Sequence, residues 1–242
     1  MPFTFSHPAV VLPLKRVFGK WLSLTGLIVG SLMPDFEYFI RMKIQSEYSH
    51  TFLGTLWFNL PLGIICCLIF HQIIKQPFID NSPAIVQRRF AELKNSNWIA
   101  YFRKKWLIVG ISIIIGAYSH ILWDSFTHHN AYFVNLLQLD HTIGSLNIPI
   151  FKVLQHGSTL FGGVYLLYYV WNLEAQAVKV VKPKLNYWIG IVLITVGILM
   201  YKLMTGLSFS AYGNVIVSGI MAAMIATIVM SLMEKNLLKS LN

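Results

Sequence analysis

Histidine and aspartate recur at helical spacing near the middle of the chain. His120, Asp124 and His128 occupy positions i, i+4 and i+8, so a helix would place their side chains along one face. Two imidazoles and a carboxylate that converge on one side suit a divalent metal with mixed nitrogen and oxygen ligands. The alternative is that these side chains only hydrogen-bond one another at a helix end. The spacing alone leaves both interpretations open.

Further acids and histidines stand beside apolar segments. Asp35 and Glu37 follow an apolar run and Pro34. Because proline disfavours the helical conformation of the residue before it, we expect a turn or kink that presents Asp35. Ser49 is expected to cap the next helix, which would leave His50 in its first turn. An Asp near the middle of a span costs about 2.5–3.5 kcal/mol, so such residues usually have a partner or a task.

Membrane helices must position these residues. The chain has 242 residues, of which 56% are hydrophobic and 12% charged, whereas soluble domains carry roughly 25% charged residues. We therefore predict an all-α fold, a polytopic transmembrane helical bundle of five to six spans. The segments long and apolar enough to cross a bilayer are 52–74, 106–126, 151–171, 187–206 and 213–233. A further segment, 21–40, either crosses or is re-entrant.

We treat the chain as a single membrane domain, 1–242. Its predicted parts are an N-terminal motif region at 1–50, core spans at 52–171 that carry the site, a basic loop at 75–105 and a C-terminal helical hairpin at 187–233.

The basic residues predict the orientation. Loop 75–105 is rich in lysine and arginine, loop 127–150 has neither, and loop 172–186 is basic again. The positive-inside rule therefore puts 75–105, 172–186 and the C-terminus in the cytoplasm. The net charge is +10, and the basic residues sit in loops between apolar segments, so we expect membrane lipid, and no nucleic acid, as the partner. His71 lies at the cytoplasmic end of its span, where we expect it to reach the headgroups.

Under this orientation one site forms at the outer end of the bundle. The residues that fall there are Asp35, His50, His120, Asp124 and His128. On the same side lie further groups that could complete a second metal position, namely Glu37, His129, His141 and His156. His7 conflicts with this arrangement, because a crossing by 21–40 would put it on the opposite side.

Several motifs follow one another in a specific order: Met1–Pro8, Gly30–Tyr38, Ser49–Thr51 and the pair His120-x-x-x-Asp124. In these motifs, and over nearly its whole length, the sequence resembles the bacterial membrane family called domain of unknown function 4184. More distantly it is similar to bacterial inner-membrane metal-dependent hydrolases and to the zinc-dependent phospholipase C and single-strand nuclease superfamily. In that superfamily a helical bundle holds zinc ions that cleave phosphoesters.

The resemblance implies a set of metal ligands. In the hydrolase hypothesis given below, the catalytic carboxylates are Asp35 and Asp124, either of which would bridge ions or orient the water. The implied ligands are His7, Asp35, His50, His120, Asp124 and His128. The soluble enzymes also use a closing His-x-x-x-Glu pair, but here His156 is followed at the fourth position by Leu160. We therefore expect one or two divalent ions, with zinc as the metal, rather than three.

These observations lead to a functional hypothesis, a membrane-embedded metal-dependent hydrolase of a phosphoester or lipid headgroup. The resemblance implies the bacterial inner membrane, and the positive-inside rule puts the site towards its outer face. One alternative is a transporter or binding protein for a metal or small solute, which polar groups throughout the spans would favour. Here such groups concentrate at one end, with Lys202 as the main exception. Another alternative is a non-catalytic scaffold whose His–Asp pairs lock helices together.

Overall fold

The computed structural model describes residues 3–143 and 147–240, with side chains as far as residue 236 at the C-terminal end. Helices dominate the described residues. They are α1 (Pro8–Phe18), α2 (Leu24–Arg41), α3 (Phe52–Asp80), α4 (Ala84–Arg89), α5 (Ala91–Asn95), α6 (Trp98–Thr127), α7 (Tyr132–Leu136), α8 (Ile150–Trp171), α9 (Leu185–Met204) and α10 (Tyr212–Ser240). Turns of 3₁₀-helix, Thr4–Ser6 and Gly19–Trp21, flank α1. The short strands β1 (Thr142–Ile143) and β2 (Ile148–Pro149) pair antiparallel.

Helix α3 is irregular along its length. Its α-helical stretches are Phe52–Gly54, Leu60–Ile69 and Lys75–Asp80, and they are separated by the π-helical stretches Thr55–Asn59 and Phe70–Ile74. Single π-helical turns inside α-helices shift the register of side chains and are frequent at functional sites.

The protein has membrane-spanning helices. Within residues 3–143 and 147–240, 4 helical segments are long and apolar enough to cross a bilayer: Phe52–Asp80, Trp98–Leu136, Leu185–Met204 and Tyr212–Asn236. The prediction of a helical membrane bundle is confirmed, although the number of spans is lower than the five to six expected. The predicted span 151–171 is a helix, α8, but polar side chains in its first turns, such as Lys152 and His156, lower its hydropathy.

Two boundaries differ from the expectation. Helix α6 begins at Trp98 rather than at 106, with non-helical backbone angles at Lys105 (φ −132°, ψ 29°). Helix α2 runs without interruption from Leu24 to Arg41 and includes Pro34. The expected turn at Met33 and Pro34 is therefore not formed. Packing over the length of α2 outweighs the local preference of proline.

The chain forms two compact units. The first consists of residues up to Asp35, Glu47–Ile64 and Lys105–Asn172, and the second of Phe36–Ser46, Ile65–Lys104 and the chain from Leu173 onwards. The division into domains made from the sequence stays a prediction.

In the first unit, α2 and α6 run in the same direction with their backbones in contact. A Cβ atom on Gly30 would lie 2.2 Å from the main-chain oxygen of Ile113, and one on Gly116 would lie 2.5 Å from that of Leu27. Small residues allow this close approach, as is common where membrane helices associate. The contact continues along both helices and brings Asp35 and His120 to the same end.

Helix α1 forms a hairpin with α2 in the same unit. Val11, Leu22 and Leu27 form a buried cluster, while Thr4, just before α1, contacts Asp35 near the end of α2. Helix α1 therefore leads away from Asp35 and α2 returns to it. Helix α8 covers α1, since a Cβ atom on Gly162 would meet Ser6 at 3.0 Å.

In the second unit, α9 and α10 pack against each other around Tyr187, Ile191 and Ala226. The hydroxyl groups of Tyr187 and Ser231 share a buried hydrogen bond of 2.9 Å. The segment before α9 is held by Gln87, whose side chain both donates to and accepts from the main chain of Val181 at 2.8 Å.

Candidate metal centre

His120 lies in α6, is fully buried and has a defined tautomer. Its Nδ1 stands 2.7 Å from the main-chain oxygen of Ser31. A carbonyl oxygen only accepts hydrogen bonds, so Nδ1 carries the proton. The lone pair of the neutral ring is therefore on Nε2, which lies 3.2 Å from Oδ2 of Asp124 and 3.6 Å from Oδ1 of Asp35. A second hydrogen bond of this kind commonly orients a metal-binding histidine.

His50 is oriented by the residue before it. The hydroxyl of Ser49 donates to the main-chain oxygen of Pro34 over 2.6 Å and lies 3.2 Å from Nδ1 of His50. Since the single hydroxyl proton is used on Pro34, Nδ1 of His50 donates to Ser49. Nε2 of His50 then faces Asp35 Oδ1 at 3.5 Å and Asp124 Oδ2 at 3.7 Å.

The role of Ser49 differs from the one expected. Thr51, not Ser49, caps the start of α3, because its hydroxyl accepts from the backbone N–H of Gly54 at 2.9 Å. Ser49 is thereby left to hold His50 and the end of α2.

Asp35 is completely buried and is also oriented by a neighbour. The hydroxyl of Thr4 donates to its Oδ2 over 2.5 Å. The other oxygen, Oδ1, faces the imidazoles of His50 and His120. A single carboxylate thus presents one oxygen to the N-terminal turn and one to the histidines.

Four residues bring one ligand atom each to a common point. They are Asp35, His50, His120 and Asp124, and their ligand atoms all lie within 4.8 Å of one another. The four measured nitrogen-to-oxygen distances run from 3.2 to 3.7 Å. A tetrahedral ion with bonds of about 2.1 Å keeps its ligand atoms roughly 3.4 Å apart. The nitrogen-to-oxygen distances are close to this value, and the group could hold a metal ion.

A proton would not satisfy this group as well as a metal ion. Nε2 of neutral His120 and Oδ2 of Asp124 are both hydrogen-bond acceptors, so a cation must lie between them. A proton on His120 would bridge one such pair. One divalent ion would satisfy all four atoms, which is the usual way that buried carboxylates and imidazoles are compensated.

The second oxygen of Asp124 faces two more of the implied ligands. His7 places Nε2 3.6 Å from Asp124 Oδ1, and its ring stacks on that of His120 with centroids 3.6 Å apart. Burial lowers the pKa of His7 well below its ordinary value. The ring is therefore neutral near pH 7 and its lone pair is available to a metal ion.

His128 lies just beyond the end of α6, so the predicted stack of three residues on one helix is only partly formed. Its Nδ1 donates to the main-chain oxygen of Asp124 over 3.0 Å, which leaves Nε2 as the nitrogen that could bind an ion. The side chain is 29% exposed.

Several buried atoms of these residues have no hydrogen-bond partner among the described residues. They are His7 Nε2, Asp35 Oδ1, His120 Nε2, Asp124 Oδ1 and His128 Nε2. Buried polar atoms are nearly always paired, and each exception needs an explanation. All of these atoms are of the types that bind metals.

The remaining candidates lie elsewhere. Glu37 is buried, but its carboxylate pairs with Arg41 at 2.9 Å and accepts from Ser46 at 3.2 Å. His129, His141 and His156 are exposed. His129 lies against the ring of Phe151 and His141 against the amide of Gln138.

The supporting residues Thr4, Ser31 and Ser49 were not identified from the sequence as parts of the site. Thr4 and Ser49 stand in the motifs that also contain His7 and His50, and this proximity is the one signal that could have found them. Ser31 acts through its main chain, which no sequence pattern reveals.

Comparison with known proteins gives one match. The sequence model of a family described as Domain of unknown function (DUF4184) matches residues 1–232. No curated protein and no solved structure matches the chain.

Proposed function

Because the chain belongs to the family described as Domain of unknown function (DUF4184), a description that specifies no activity, we propose a function from the site itself. The proposed function is that of a membrane-embedded, metal-dependent hydrolase of lipid phosphoesters. The observation that carries the proposal is the convergence of Asp35, His50, His120 and Asp124 within 4.8 Å. Two imidazole nitrogens and two carboxylate oxygens are ligands that zinc accepts.

The ligands would divide between two positions. Asp35, His50, His120 and Oδ2 of Asp124 would hold the first ion. Oδ1 of Asp124 lies 3.6 Å from Nε2 of His7, and these two groups would help to hold a second ion. A bound zinc supplies a Lewis acid and a water of lowered pKa near 7. This chemistry suits phosphoester hydrolysis, in which a water attacks phosphorus and an oxygen leaves.

An apolar cavity beside His7 supports a lipid as the substrate. It has a volume of about 620 Å³ and runs between α1 and α8. His7 and Ser6 line one end, while Val10, Leu154 and Phe161 line the remainder. An acyl chain placed in this cavity would leave its headgroup next to His7 and Asp124. Burial of methylene groups favours such binding by about 0.8 kcal/mol each.

The positive-inside rule supports an outer location for the site, with the C-terminus in the cytoplasm. A bacterial inner membrane is part of the same proposal, since it rests on the family resemblance.

The test starts with metal content. We expect elemental mass spectrometry of the detergent-purified protein to find about one or two zinc ions per chain. His120→Ala is expected to lose the metal, and the control His156→Ala, at an exposed histidine outside the group, to keep it. The zinc-loaded protein is then assayed for release of phosphate or a phosphorylated headgroup from phosphatidylglycerol and phosphatidylcholine.

Each outcome has a meaning. Equal metal in the wild type and His120→Ala would contradict the proposed centre. Metal without hydrolysis of any phosphoester would favour the metal-binding or transport alternative. A protein that takes up neither zinc nor manganese, yet unfolds when His120 is replaced, would favour the scaffold.

A further inference from the structure

A polar pocket in the second unit lies where three membrane-spanning segments end. Its volume is about 300 Å³, and it is lined by the last turns of α3, the start of α6 and the end of α10. The residues of interest here are His71, Lys75, Lys94, Trp98 and Lys235. The pocket is separate from the proposed hydrolase centre and does not depend on it.

The walls of the pocket carry positive charge. Three lysines line it, and none of the described lining residues carries a carboxyl group. Lys94 is paired with Asp80, which is not a lining residue. Lys75 and Lys235 therefore have no carboxylate partner among the contacts that the structure records. Two ammonium groups at one pocket favour an anionic ligand.

The ammonium group of Lys75 is fixed by hydrogen bonds and has one donor left for a ligand. It is only 5% exposed, although burial of an ammonium group is costly unless it is compensated. Its Nζ donates to the main-chain oxygen of Ser96 at 2.7 Å and to the hydroxyl of Ser96 at 3.3 Å. An ammonium group has three donors, so one hydrogen remains for a ligand. Lys235 donates to the main-chain oxygen of Gln72 and likewise retains donors.

Trp98 offers an independent sign of a ligand. Its side chain is buried, with the residue 6% exposed, and its indole Nε1 has no hydrogen-bond partner among the described residues. The ring is fixed by stacking on His71, with centroids 4.6 Å apart and planes 5° from parallel. An indole N–H is only a donor, so it requires an acceptor. His71 is buried in this stack at the wall of the pocket, and its expected contact with headgroups stays a prediction.

The ammonium groups of Lys75 and Lys235 and the indole N–H of Trp98 all favour acceptor oxygens with negative charge.

We propose that this pocket binds a phosphate group, either as the headgroup of an anionic lipid or as a free phosphate. Lys75 and Lys235 neutralise its charge, and the indole N–H of Trp98 donates to one of its oxygens. The pocket lies at the ends of membrane-spanning helices, where phospholipid headgroups are found. Its volume of about 300 Å³ accommodates a phosphate group and its immediate substituent.

Calorimetric titration of the full chain in a non-ionic detergent tests the proposal. A chelator is present throughout, so that phosphate cannot bind through a metal ion at the other site. The probes are inorganic phosphate, dioctanoyl phosphatidic acid and, as a control without phosphate, dioctanoylglycerol. The variants are Lys75→Gln and Trp98→Phe, with Lys182→Gln as the control at an exposed lysine outside the pocket.

We expect wild type and Lys182→Gln to bind equally. Lys75→Gln should weaken binding about tenfold, since a charge-assisted hydrogen bond is lost. Trp98→Phe should preserve the stack on His71 and weaken binding about fivefold through loss of one neutral hydrogen bond. Its unfolding temperature verifies that the fold is retained.

The probes distinguish the sources of the phosphate. Binding of inorganic phosphate supports a free phosphate ligand, and binding of phosphatidic acid alone supports a lipid headgroup. The proposal is overturned if neither probe binds the wild type, or if Lys75→Gln and Trp98→Phe bind as tightly as the wild type. None of these results bears on the metal content of the first unit.

Discussion

The main-chain oxygen of Ser31 accepts a hydrogen bond from Nδ1 of His120 over 2.7 Å, and this bond turns the unprotonated nitrogen towards Asp35 and Asp124. The contact exists because α2 and α6 touch through glycine, so that a carbonyl of one helix comes within reach of a side chain on the other. The helix contact and the candidate metal centre therefore depend on the same packing.

We predict that Thr4→Val weakens zinc binding without abolishing it. The hydroxyl of Thr4 donates to Asp35 at 2.5 Å and leaves the other oxygen to face the histidines. Loss of such an orienting hydrogen bond typically weakens metal affinity 10- to 100-fold. Competition with a chromogenic zinc chelator measures the dissociation constant.

Ser6→Ala is the matched control for Thr4→Val. It removes a hydroxyl from the same turn, but that hydroxyl donates to the main chain of Thr159 and not to a proposed ligand. Equal zinc affinities for Thr4→Val and the wild type would show that Asp35 needs no such support or is not a ligand.

We predict that Gly30→Ala destabilises the protein and reduces its metal content. The new Cβ atom would lie 2.2 Å from the main-chain oxygen of Ile113, so α2 and α6 must separate. Overpacking of this kind costs about 1–3 kcal/mol. Thermal unfolding in detergent, followed by elemental mass spectrometry of the same sample, measures both effects.

Gly163→Ala serves as the comparison for Gly30→Ala. Nothing lies within 4 Å of a Cβ atom at this position of α8, and alanine is the better helix former by about 1 kcal/mol. We expect an unchanged or slightly higher unfolding temperature. An equally stable Gly30→Ala protein would contradict the close contact between α2 and α6.

We predict that Gly157→Leu discriminates against long-chain substrates. Gly157 lines the apolar cavity, and nothing lies within 4 Å of a Cβ atom built on it, so a leucine side chain can occupy space proposed for an acyl chain. The kcat/KM for a long-chain phospholipid should fall at least tenfold, whereas that for a short-chain analogue should change little.

The control for the cavity substitution is Gly163→Leu, which is not at the cavity. Kinetic assays with dioctanoyl and dipalmitoyl substrates in mixed micelles measure, for each variant, the ratio of kcat/KM for the long-chain substrate to kcat/KM for the short-chain substrate. If Gly157→Leu lowers both values equally, the cavity does not select the acyl chain.

Much of the helical architecture could be predicted from composition and apolar length alone. The segments 52–74, 106–126, 187–206 and 213–233 lie within or close to the helices found, because an apolar run near 20 residues is a local property. Segment 151–171 is helical, with polar side chains in its first turns. The turn expected at Pro34 is not formed, since tertiary packing of α2 overrides the preference of one dipeptide.

For the histidines and aspartates, too, one part of the arrangement could be predicted from the sequence and another part could not. Spacing on α6 correctly grouped His120 with Asp124, because positions i and i+4 share a helix face. The helix ends before His128, and no spacing argument could have located that end. The conflict over His7 holds only if 21–40 crosses alone, and it is removed because α1 and α2 form a hairpin that returns to His7.

The sequence by itself determined that this is a helical membrane protein and which residue types could bind a metal, because hydropathy and side-chain chemistry belong to single residues and short segments. The tertiary structure alone decided which of them meet. His7, Asp35 and His50 come from distant parts of the chain, and they reach His120 and Asp124 through glycine contacts and the α1–α2 hairpin. The proton positions on His50 and His120 follow from hydrogen bonds to Ser49 and Ser31, which exist only in the packed protein.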